Sequence, residues 1–253
     1  MLHSKLIAAA LAFAVLAGTP ALAAPVRIAT EGAYAPFNFV DDSGKPAGFE
    51  IDLGTEICKR AGLDCTFQTN EWDSIIPNLV AGNYDLIMAG MSITDERKQT
   101  IDFSDAYFPP DPSKYAVRAG TELDFNALSG KSIGVQGGTI QAGYVEQTFG
   151  SANTIKAYDT ADKALADLSA GNVDVLFADG SYTDEVVNSS GGALVVAGPE
   201  VILGDGIGVG MRKGDAELKA KFDETIKAMK ADGSLDALIA KWFPDRKPPY
   251  FTN

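Results

Sequence analysis

An internal repeat constrains the fold more than any other feature of the sequence. The segment LVAGNYDLIMAG, residues 79–90, reappears 89 residues later as LSAGNVDVLFAD, residues 168–179. In both copies Ala-Gly-Asn ends a helical pattern, and an apolar run typical of a buried strand follows. We therefore predict two similar α/β lobes, although unrelated helix-turn-strand units can share part of this pattern.

Strand-like and helix-like patterns alternate along the chain. Short apolar runs predict strands, and amphipathic segments predict helices. The predicted strands are residues 26–30, 65–68, 86–89, 132–135, 155–158 and 173–178, and the predicted helices are residues 51–61, 75–80, 139–149, 160–170, 216–230 and 234–242. This alternation is typical of an α/β fold in which each lobe has a mostly parallel sheet with flanking helices.

Prolines mark the passage between the lobes. The segment YFPPDP, residues 107–112, suits a crossover because its prolines cannot continue a helix or a central strand. A return crossover is expected near residues 204–208. We therefore expect two hinge crossovers and the following lobes: a discontinuous first lobe of residues 24–110 and 206–253, and a second lobe of residues 111–205.

The N-terminus has the pattern of a signal peptide. Lys5 precedes an apolar run, residues 6–16, and Ala21-Leu22-Ala23 is a typical cleavage signal. We predict that residues 1–23 are removed on export, and a membrane anchor is the alternative. In an exported protein Cys58 and Cys65 favour a disulfide over the alternative of two buried thiols.

Composition excludes several classes of function. The chain has 21 Lys and Arg against 34 Asp and Glu, a net charge of −13 that becomes −14 when Lys5 leaves with the signal peptide. Such acidity disfavours binding to nucleic acid or to an anionic membrane. The only histidine, His3, also leaves, and no phosphate-binding motif is present, so we expect neither a metal nor a cofactor.

The candidate site follows from the ends of the predicted strands. In open parallel sheets, ligands bind beyond the carboxyl ends of the strands. The residues that follow those ends and carry or expose polar groups are Glu31, Tyr34, Ala89, Gly90, Ser92, Gln136, Thr139 and Asp179. They include no nucleophile with its base, so we predict a binding protein rather than an enzyme.

Arg97 is the strongest candidate for holding an anion. Thr94 can cap a short helix that has Arg97 in its first turn, where a cation opposes the helix dipole unless an anion lies nearby. A carboxylate would resolve the conflict, since arginine can bind it bidentately and Ser92 can add a hydroxyl. The alternative is a surface ion pair with Asp95 or Asp102.

Two further positions suit the ends of a zwitterion. Gly137-Gly138-Thr139 opens a helix, and free amides at a helix start attract anions, although a plain turn has the same sequence. Asp179 follows a buried strand, where a carboxylate is costly without a partner such as an ammonium group. It could equally cap a helix that begins at Ser181.

Acidic and aromatic residues favour a cationic ligand. Glu31 and Glu50 both lie close to the predicted cleft, and two carboxylates near one pocket favour a positive side chain. Glu50 could instead cap or solvate the helix that follows it. Tyr34 and Trp72 offer aromatic faces for alkyl stems and cations, although aromatic residues are more often part of the core.

Taken together, several segments of the sequence resemble a known family. They are AYAPF at residues 33–37, GFEIDL at 48–53, DLIMAGMSIT at 85–94 with Arg97, IGVQGGT at 133–139, and Trp242-Phe243. With them the chain resembles the periplasmic amino-acid-binding proteins of ABC transporters, in the branch that binds lysine, arginine, ornithine, histidine or opines. The resemblance covers nearly all of the chain after the signal peptide and implies a type II two-lobed binding-protein fold.

The resemblance also implies roles for the candidate residues. Arg97 would hold the ligand α-carboxylate with Ser92 and the Thr139 amide, and Asp179 with the backbone near Gly90 would take the α-ammonium group. Tyr34 and Trp72 would enclose the side chain, whose far end Glu31 would contact with help from Glu50. The family disulfide matches Cys58 and Cys65.

The resemblance further implies a periplasmic, monomeric protein that closes about its hinge and docks on a membrane permease. Two alternatives are a secreted dehydratase-like enzyme on the same fold and the sensory module of a receptor. Many binders of basic amino acids have an aspartate and a serine pair where this chain has Glu31 and Ala89-Gly90, and Ile140 replaces a common threonine. These differences leave the ligand open among the basic amino acids and the opines.

Overall fold

The computed structural model describes residues 24–248, 250 and 251, so the predicted signal peptide, residues 1–23, lies outside it. The strands are β1 (Val26–Thr30), β2 (Ala33–Tyr34), β3 (Asn38–Val40), β4 (Pro46–Ala47), β5 (Cys65–Thr69), β6 (Leu86–Ile87), β7 (Ile101–Phe103), β8 (Ser113–Arg118), β9 (Ser132–Gln136), β10 (Thr154–Tyr158), β11 (Val175–Asp179), β12 (Leu194–Val201) and β13 (Gly210–Arg212). The helices are α1 (Phe49–Ala61), α2 (Trp72–Val80), α3 (Asp95–Lys98), α4 (Ile140–Phe149), α5 (Ala161–Ala170), α6 (Gly180–Ser189), α7 (Ala216–Asp232) and α8 (Ser234–Trp242). None of these helices has the length and apolar character that a membrane span requires.

Two five-stranded sheets form the centres of two lobes. Their strand orders are β5-β1-β6-β13-β7 and β10-β9-β11-β8-β12. Strands β1 and β9 stand second in the two orders and correspond to each other, since each has two parallel neighbours. The two copies of the sequence repeat, α2 with β6 and α5 with β11, occupy matching places in the two lobes, as the repeat predicts.

The sheets are mixed, whereas the sequence pattern predicted mostly parallel ones. In the first sheet β13 runs antiparallel to both β6 and β7, and in the second sheet β8 runs antiparallel to both β11 and β12. Both β8 and β13 are the first strands after a passage from one sheet to the other. They enter from the opposite end of the new sheet, which reverses their direction.

Helix α1 ties the first sheet to the end of the chain. It buries Phe49, Leu53 and Ile57 and ends at Gly62, whose φ of 66° is the left-handed conformation that glycine favours at this position. Helices α7 and α8 pack against α1. A disulfide between Cys58 and Cys65 joins the end of α1 to β5, with the two Cα atoms 6.2 Å apart, which confirms the predicted pairing.

The first crossover is held from both sides. Asp111, whose side chain is 4% exposed, forms an ion pair with Arg246 and accepts a hydrogen bond from the Ser181 amide at 2.8 Å. The Arg246 guanidinium also lies over the ring of Phe108, 4.6 Å from its centroid. The segment after α8 therefore packs on the crossover, and the crossover is bonded to the start of α6 in the second lobe.

A three-stranded antiparallel sheet of β2, β3 and β4 lies beside the first lobe. The sequence did not predict it, because strands of two or three residues are too short to show an alternating pattern. Its first strand ends at Tyr34, and this places the tyrosine ring between the two lobes, where it stacks on Tyr182 with 4.6 Å between centroids.

Candidate functional site

A cleft of about 300 Å³ lies between the lobes. The residues that line it are Glu31, Tyr34, Trp72, Ala89, Gly90, Ser92, Arg97, Gln136, Thr139, Ile140, Gln141 and Asp179. The structure thus brings together ten of the eleven side chains and backbone positions that the sequence predicted for the site. Glu50 is the exception, and Ile140 and Gln141 are additional members.

Arg97 is held by carbonyl groups and an aromatic ring. Thr94 caps α3 by accepting a hydrogen bond from the Arg97 amide at 3.1 Å. The guanidinium donates to the carbonyl of Ser92 at 2.9 Å and, more weakly, to that of Gly138 at 3.4 Å. Its Cζ atom lies 5.2 Å from the centroid of the Trp72 ring.

The charge of Arg97 has no ion-pair partner within 4 Å among residues 24–248, 250 and 251. The predicted alternative, a surface ion pair with Asp95 or Asp102, is therefore not formed, and Asp95 contacts Lys98 instead. Burial lowers the pKa of Arg97, with the charge of Asp179 acting in the opposite direction. A cation that is desolvated and held by neutral groups is an arrangement suited to an anionic ligand.

The start of α4 faces Arg97 from the second lobe. Gly138 has a φ of 65°, a left-handed conformation that an L side chain rarely adopts. This turn allows Thr139 to cap α4, where its hydroxyl accepts from the Ala142 amide at 3.1 Å and donates to the carbonyl of Gln136 at 2.7 Å. The positive end of the α4 dipole therefore points toward the same side of the cleft as Arg97.

Asp179 ends β11 and faces the cleft. It occupies the N-cap position of α6, yet its side chain makes no capping bond. One carboxylate oxygen accepts from the Tyr34 hydroxyl at 2.8 Å, and the other accepts from the Gln141 side chain at 2.8 Å. Burial raises the pKa of Asp179 to about 7, while the charge of Arg97 and the two hydrogen bonds favour ionisation.

Gln141 lies in the segment 136–141 that follows a predicted strand end at the cleft, but the sequence did not single it out as a ligand-binding residue. It lies in the first turn of α4, is 4% exposed and also donates to the Ser113 hydroxyl at 3.0 Å. Its position just after the glycine turn was a usable signal, because the sequence had already placed that turn at the cleft. Nothing in the local pattern distinguishes it from a solvent-facing glutamine.

Glu31 directly follows β1 and lines the cleft, where burial raises its pKa to about 7. The side chain is 9% exposed, and one carboxylate oxygen accepts a 2.6 Å hydrogen bond from the Gln136 amide of the second lobe. The other oxygen, Oε2, has no hydrogen-bond partner in the part of the chain that the structure describes. Glu31 thus retains an unused acceptor.

Glu50 requires a correction, because it does not line the cleft. Its carboxylate is fully buried in the first turn of α1 and accepts from the Asn38 side chain at 2.7 Å, from the Gly90 amide at 2.7 Å and from the Tyr107 hydroxyl. These three donors hold the Glu50 carboxylate inside the first lobe, and burial raises its pKa. Glu50 therefore supports the cleft indirectly, because it accepts the hydrogen bond from the amide of Gly90, a cleft residue whose φ is 62°.

Hydrogen bonds between three pairs of residues connect the lobes across the cleft. These three pairs of residues are Tyr34 with Asp179, Gln136 with Glu31, and Arg97 with the carbonyl of Gly138, and the Tyr34 hydroxyl also accepts a fourth bond from the Asp179 amide at 3.2 Å. The stacking of Tyr34 on Tyr182 adds an aromatic contact between the lobes. The structure is therefore a closed conformation, in which polar groups of one lobe meet those of the other.

The chemistry of the cleft is that of charge recognition. A desolvated cation lies near one buried carboxyl group, Asp179, and a second carboxyl group, Glu31, lies further along the cleft between aromatic walls. In residues 24–248, 250 and 251, no three His, Cys, Asp or Glu side chains form a cluster that could hold a metal ion.

Comparison with known proteins identifies similar chains. Residues 26–245 match the family described as bacterial extracellular solute-binding proteins, family 3. The lysine/arginine/ornithine-binding periplasmic protein of Escherichia coli K12 is 37% identical over 231 residues, which cover 88% of this chain and 89% of that protein. The octopine-binding periplasmic protein of Rhizobium meliloti is 35% identical, with 94% of this chain and 97% of that protein covered.

A solved structure shows the same architecture. It is a periplasmic His/Glu/Gln/Arg/opine family-binding protein from Silicibacter pomeroyi in complex with lysine, 48% identical in sequence and with a TM-score of 0.82. The match covers 89% of this chain and all of the other chain. The two-lobed arrangement described above is therefore shared with a protein that holds a ligand.

Proposed function

Because the chain belongs to the family 3 bacterial extracellular solute-binding proteins, we propose that it binds an amino acid with a cationic side chain between its lobes and delivers it to an ABC importer. The observation that carries this proposal is that a partly buried Arg97, which has no ion-pair partner among the described residues, lines the same cleft as the partly buried carboxyl group of Asp179. Opposite charges that line one cleft suit the two ends of a free amino acid.

The α-carboxylate binds to Arg97 in this proposal. The guanidinium fork is already oriented by the carbonyl of Ser92 and the ring of Trp72, so it loses little freedom when it takes two carboxylate oxygens. The Ser92 hydroxyl and the Thr139 amide at the start of α4 contribute further donors. The α-ammonium group binds to Asp179 and the backbone near Gly90, replacing the hydrogen bond from Tyr34.

The side chain of the ligand extends toward Glu31. Tyr34 and Trp72 contact its aliphatic part, and Glu31 pairs with the terminal cation through the oxygen that Gln136 does not use. Lysine, arginine, ornithine and histidine all have a suitable cationic end, and the similar Escherichia coli and Rhizobium proteins are named for binding lysine, arginine and ornithine, and octopine, respectively. We propose a basic amino acid or an opine as the ligand class.

The proposed cycle is hinge closure followed by transfer. The first lobe, residues 24–110 and 206–253, receives the ligand, and the second lobe, residues 111–205, closes over it. The closed monomer docks on the membrane permease and releases the ligand there. Cleavage after residue 23 places the mature protein in the periplasm, where the similar Escherichia coli and Rhizobium proteins are named as periplasmic.

A thermal-shift panel of free amino acids and opines tests the ligand class. A ligand present at 100 times its Kd stabilises the folded protein by about 2.7 kcal/mol, which gives a clear rise in Tm. We expect arginine, lysine, ornithine or an opine to raise the Tm, and neutral and acidic amino acids to do so less. An unchanged Tm with every basic amino acid and opine would refute the proposal.

An enzymatic role on the same fold is the competing candidate. The observation in its favour is that both Asp179 and Glu31 have a pKa raised to about 7, a value suited to proton transfer. The amino-acid clamp uses both groups as anions, whereas a dehydratase would use one as a proton donor. Incubation with cyclic hydroxy acids followed by product analysis separates the two, and we expect no turnover.

A further inference from the structure

A second and larger cavity adjoins the cleft. It encloses more space than the cleft itself and is partly open to solvent. Two residues, Glu31 and Trp72, line both spaces. The outer cavity therefore begins at the point where the proposed ligand side chain ends.

Glu31 lies at the boundary between the cleft and the outer cavity. Its side chain is 9% exposed, and only Oε1 accepts a hydrogen bond, which comes from the side-chain amide of Gln136. Among the residues that the structure describes, none donates a hydrogen bond to Oε2. Because Glu31 lines both spaces, a cation bound to this carboxylate lies beside the outer cavity, and a substituent on the cation would have room to continue outward.

Both lobes form the walls of the outer cavity. The first lobe contributes Glu71, which lies between β5 and α2, and Asp73 in the first turn of α2. The second lobe contributes Asp159, which lies between β10 and α5, and Lys163 in α5. Asp73 also approaches the glycine turn of the second lobe, since a Cβ placed on Gly138 would lie 3.4 Å from its Oδ1 atom. The outer cavity therefore closes together with the cleft.

Acidic groups dominate the chemistry of the outer cavity. Among the described residues that line it, Lys163 is the one cation, and it forms an ion pair with Asp159. Glu71 and Asp73, by contrast, form no ion pair within 4 Å anywhere in residues 24–248, 250 and 251. Together with Glu31 they form a series of carboxylates that leads outward from the cleft, and such a series favours a ligand with more than one positive charge along its side chain.

We infer that the protein accepts basic amino acids extended at the side-chain nitrogen, and that it prefers an extension with a positive charge of its own. This inference rests on the proposed function, because the amino-acid end of the ligand has to occupy the cleft. The inner cation pairs with Glu31, and the extension lies in the outer cavity against Glu71 and Asp73. A neutral extension fits the same volume without the second charge interaction.

Three ligands that share the lysine end isolate the effect. Lysine probes the cleft alone, Nε-(3-aminopropyl)-lysine adds a charged extension, and Nε-butyl-lysine adds a neutral one of the same length. Both extended ligands retain the positive charge of the inner nitrogen. By isothermal titration calorimetry at low ionic strength, we expect the aminopropyl ligand to bind about fivefold or more tightly than the butyl ligand, because partly solvated charge pairs are worth about 1 kcal/mol.

A variant locates the preference in the outer cavity. In the double variant Glu71→Gln/Asp73→Asn we expect the difference between the two extended ligands to disappear, while the Kd for lysine changes less than twofold. The control Asp64→Asn/Glu224→Gln removes the same charge from two exposed positions that line neither cavity, and it should preserve the difference.

The outcomes separate this inference from the proposed function. Binding of lysine together with failure of both extended ligands overturns the inference and leaves the proposed function intact. Equal affinities for the charged and neutral extensions, or an unchanged preference in the double variant, overturn it as well. If neither lysine nor arginine binds, the proposed function fails and the inference fails with it.

Discussion

The two ends of the cleft are built on different principles. The Arg97 end consists largely of backbone and aromatic groups: the carbonyls of Ser92 and Gly138, the ring of Trp72 and the start of α4. The Glu31 end depends on one side-chain hydrogen bond between the lobes and opens into the outer cavity. A fixed end suits the part that all amino acids share, and an adaptable end suits the part in which they differ.

The backbone of the fixed end is determined by the fold, and this limits how far substitutions can change it. Gly138 and the cap at Thr139 set the start of α4, and the cap at Thr94 sets α3. The adaptable end has no such support, since Glu31 lies in the irregular segment after β1. Differences in specificity among similar proteins are therefore expected to concentrate at the Glu31 end.

Loss of Arg97 is the largest expected effect and tests the fixed end. Arg97→Ala should weaken binding of every amino acid by about 100-fold or more, because a charged hydrogen-bonding partner of the α-carboxylate disappears. Calorimetric titration of one cationic and one neutral amino acid measures it. Arg97→Lys is the control, since it keeps the charge and loses the fork. A loss confined to cationic ligands would contradict the assignment.

The number of protons released on binding distinguishes the contribution of Asp179 from that of Glu31. Asp179 and Glu31 both have a pKa of about 7 without ligand, and an ammonium group bound to either one holds it ionised. At pH 6 we expect a neutral amino acid to release about one proton, from Asp179, and a cationic one to release about two. Titrations in buffers of different ionisation enthalpy give these numbers, and affinity for cationic ligands should rise from pH 6 to pH 8.

The same groups fix the sign of the stability change in the unliganded protein. Their pKa values are raised on folding, so the folded state binds more protons than the unfolded chain between about pH 4.5 and 7. The stability of the unliganded protein should therefore fall as the pH rises through this range, with Glu50 contributing in the same direction. The stabilisation by a cationic ligand should increase over that range. A ligand-induced shift in Tm that is independent of pH would contradict both assignments.

Substitution of Glu31 tests the adaptable end. Glu31→Gln keeps the size of the side chain and an acceptor for Gln136 but removes the charge, so we expect about a tenfold loss for cationic ligands and less than a threefold change for neutral ones. Affinities for arginine and glutamine measure the selectivity. Equal losses for both ligands would show that Glu31 does not select for a positive charge on the ligand side chain.

The smallest expected effect on ligand affinity comes from Glu50. Glu50→Gln leaves one of three buried donors poorly satisfied, so we expect a loss of about 1–3 kcal/mol in the free energy of unfolding and less than a threefold change in ligand affinity. Thermal unfolding and titration of the same sample measure both. A selective loss of cationic ligands would instead place Glu50 among the groups that sense the side chain.

The sequence was most informative where the chain repeats itself. The residues shared by segments 79–90 and 168–179 place corresponding turns and strands in the two lobes, and these strands end at the cleft. Arg97 could be predicted because a cation in the first turn of a capped helix is unfavourable by itself. Both predictions rest on patterns that are visible within short stretches of the sequence.

Other features depend on partners far apart in the chain. Glu50 and Tyr107 are separated by 57 residues, so the local pattern around Glu50 resembles that of an ordinary solvent-facing helix residue. Gln141 becomes part of the site only through its contacts with Asp179 and Ser113. The antiparallel direction of β8 and β13 is likewise set by how the crossovers enter each sheet, which no local pattern encodes.

The hydrogen bonds that join the lobes have a consequence for the rate of ligand capture. Tyr34 bonds to Asp179 and Gln136 bonds to Glu31 in the closed protein, so these contacts between the lobes have to break before a ligand can reach the cleft. Opening has to precede entry from this conformation, and its speed does not depend on ligand concentration. The observed association rate would then rise with concentration only until it reached the opening rate, giving a plateau that stopped-flow fluorescence of Trp72 can record.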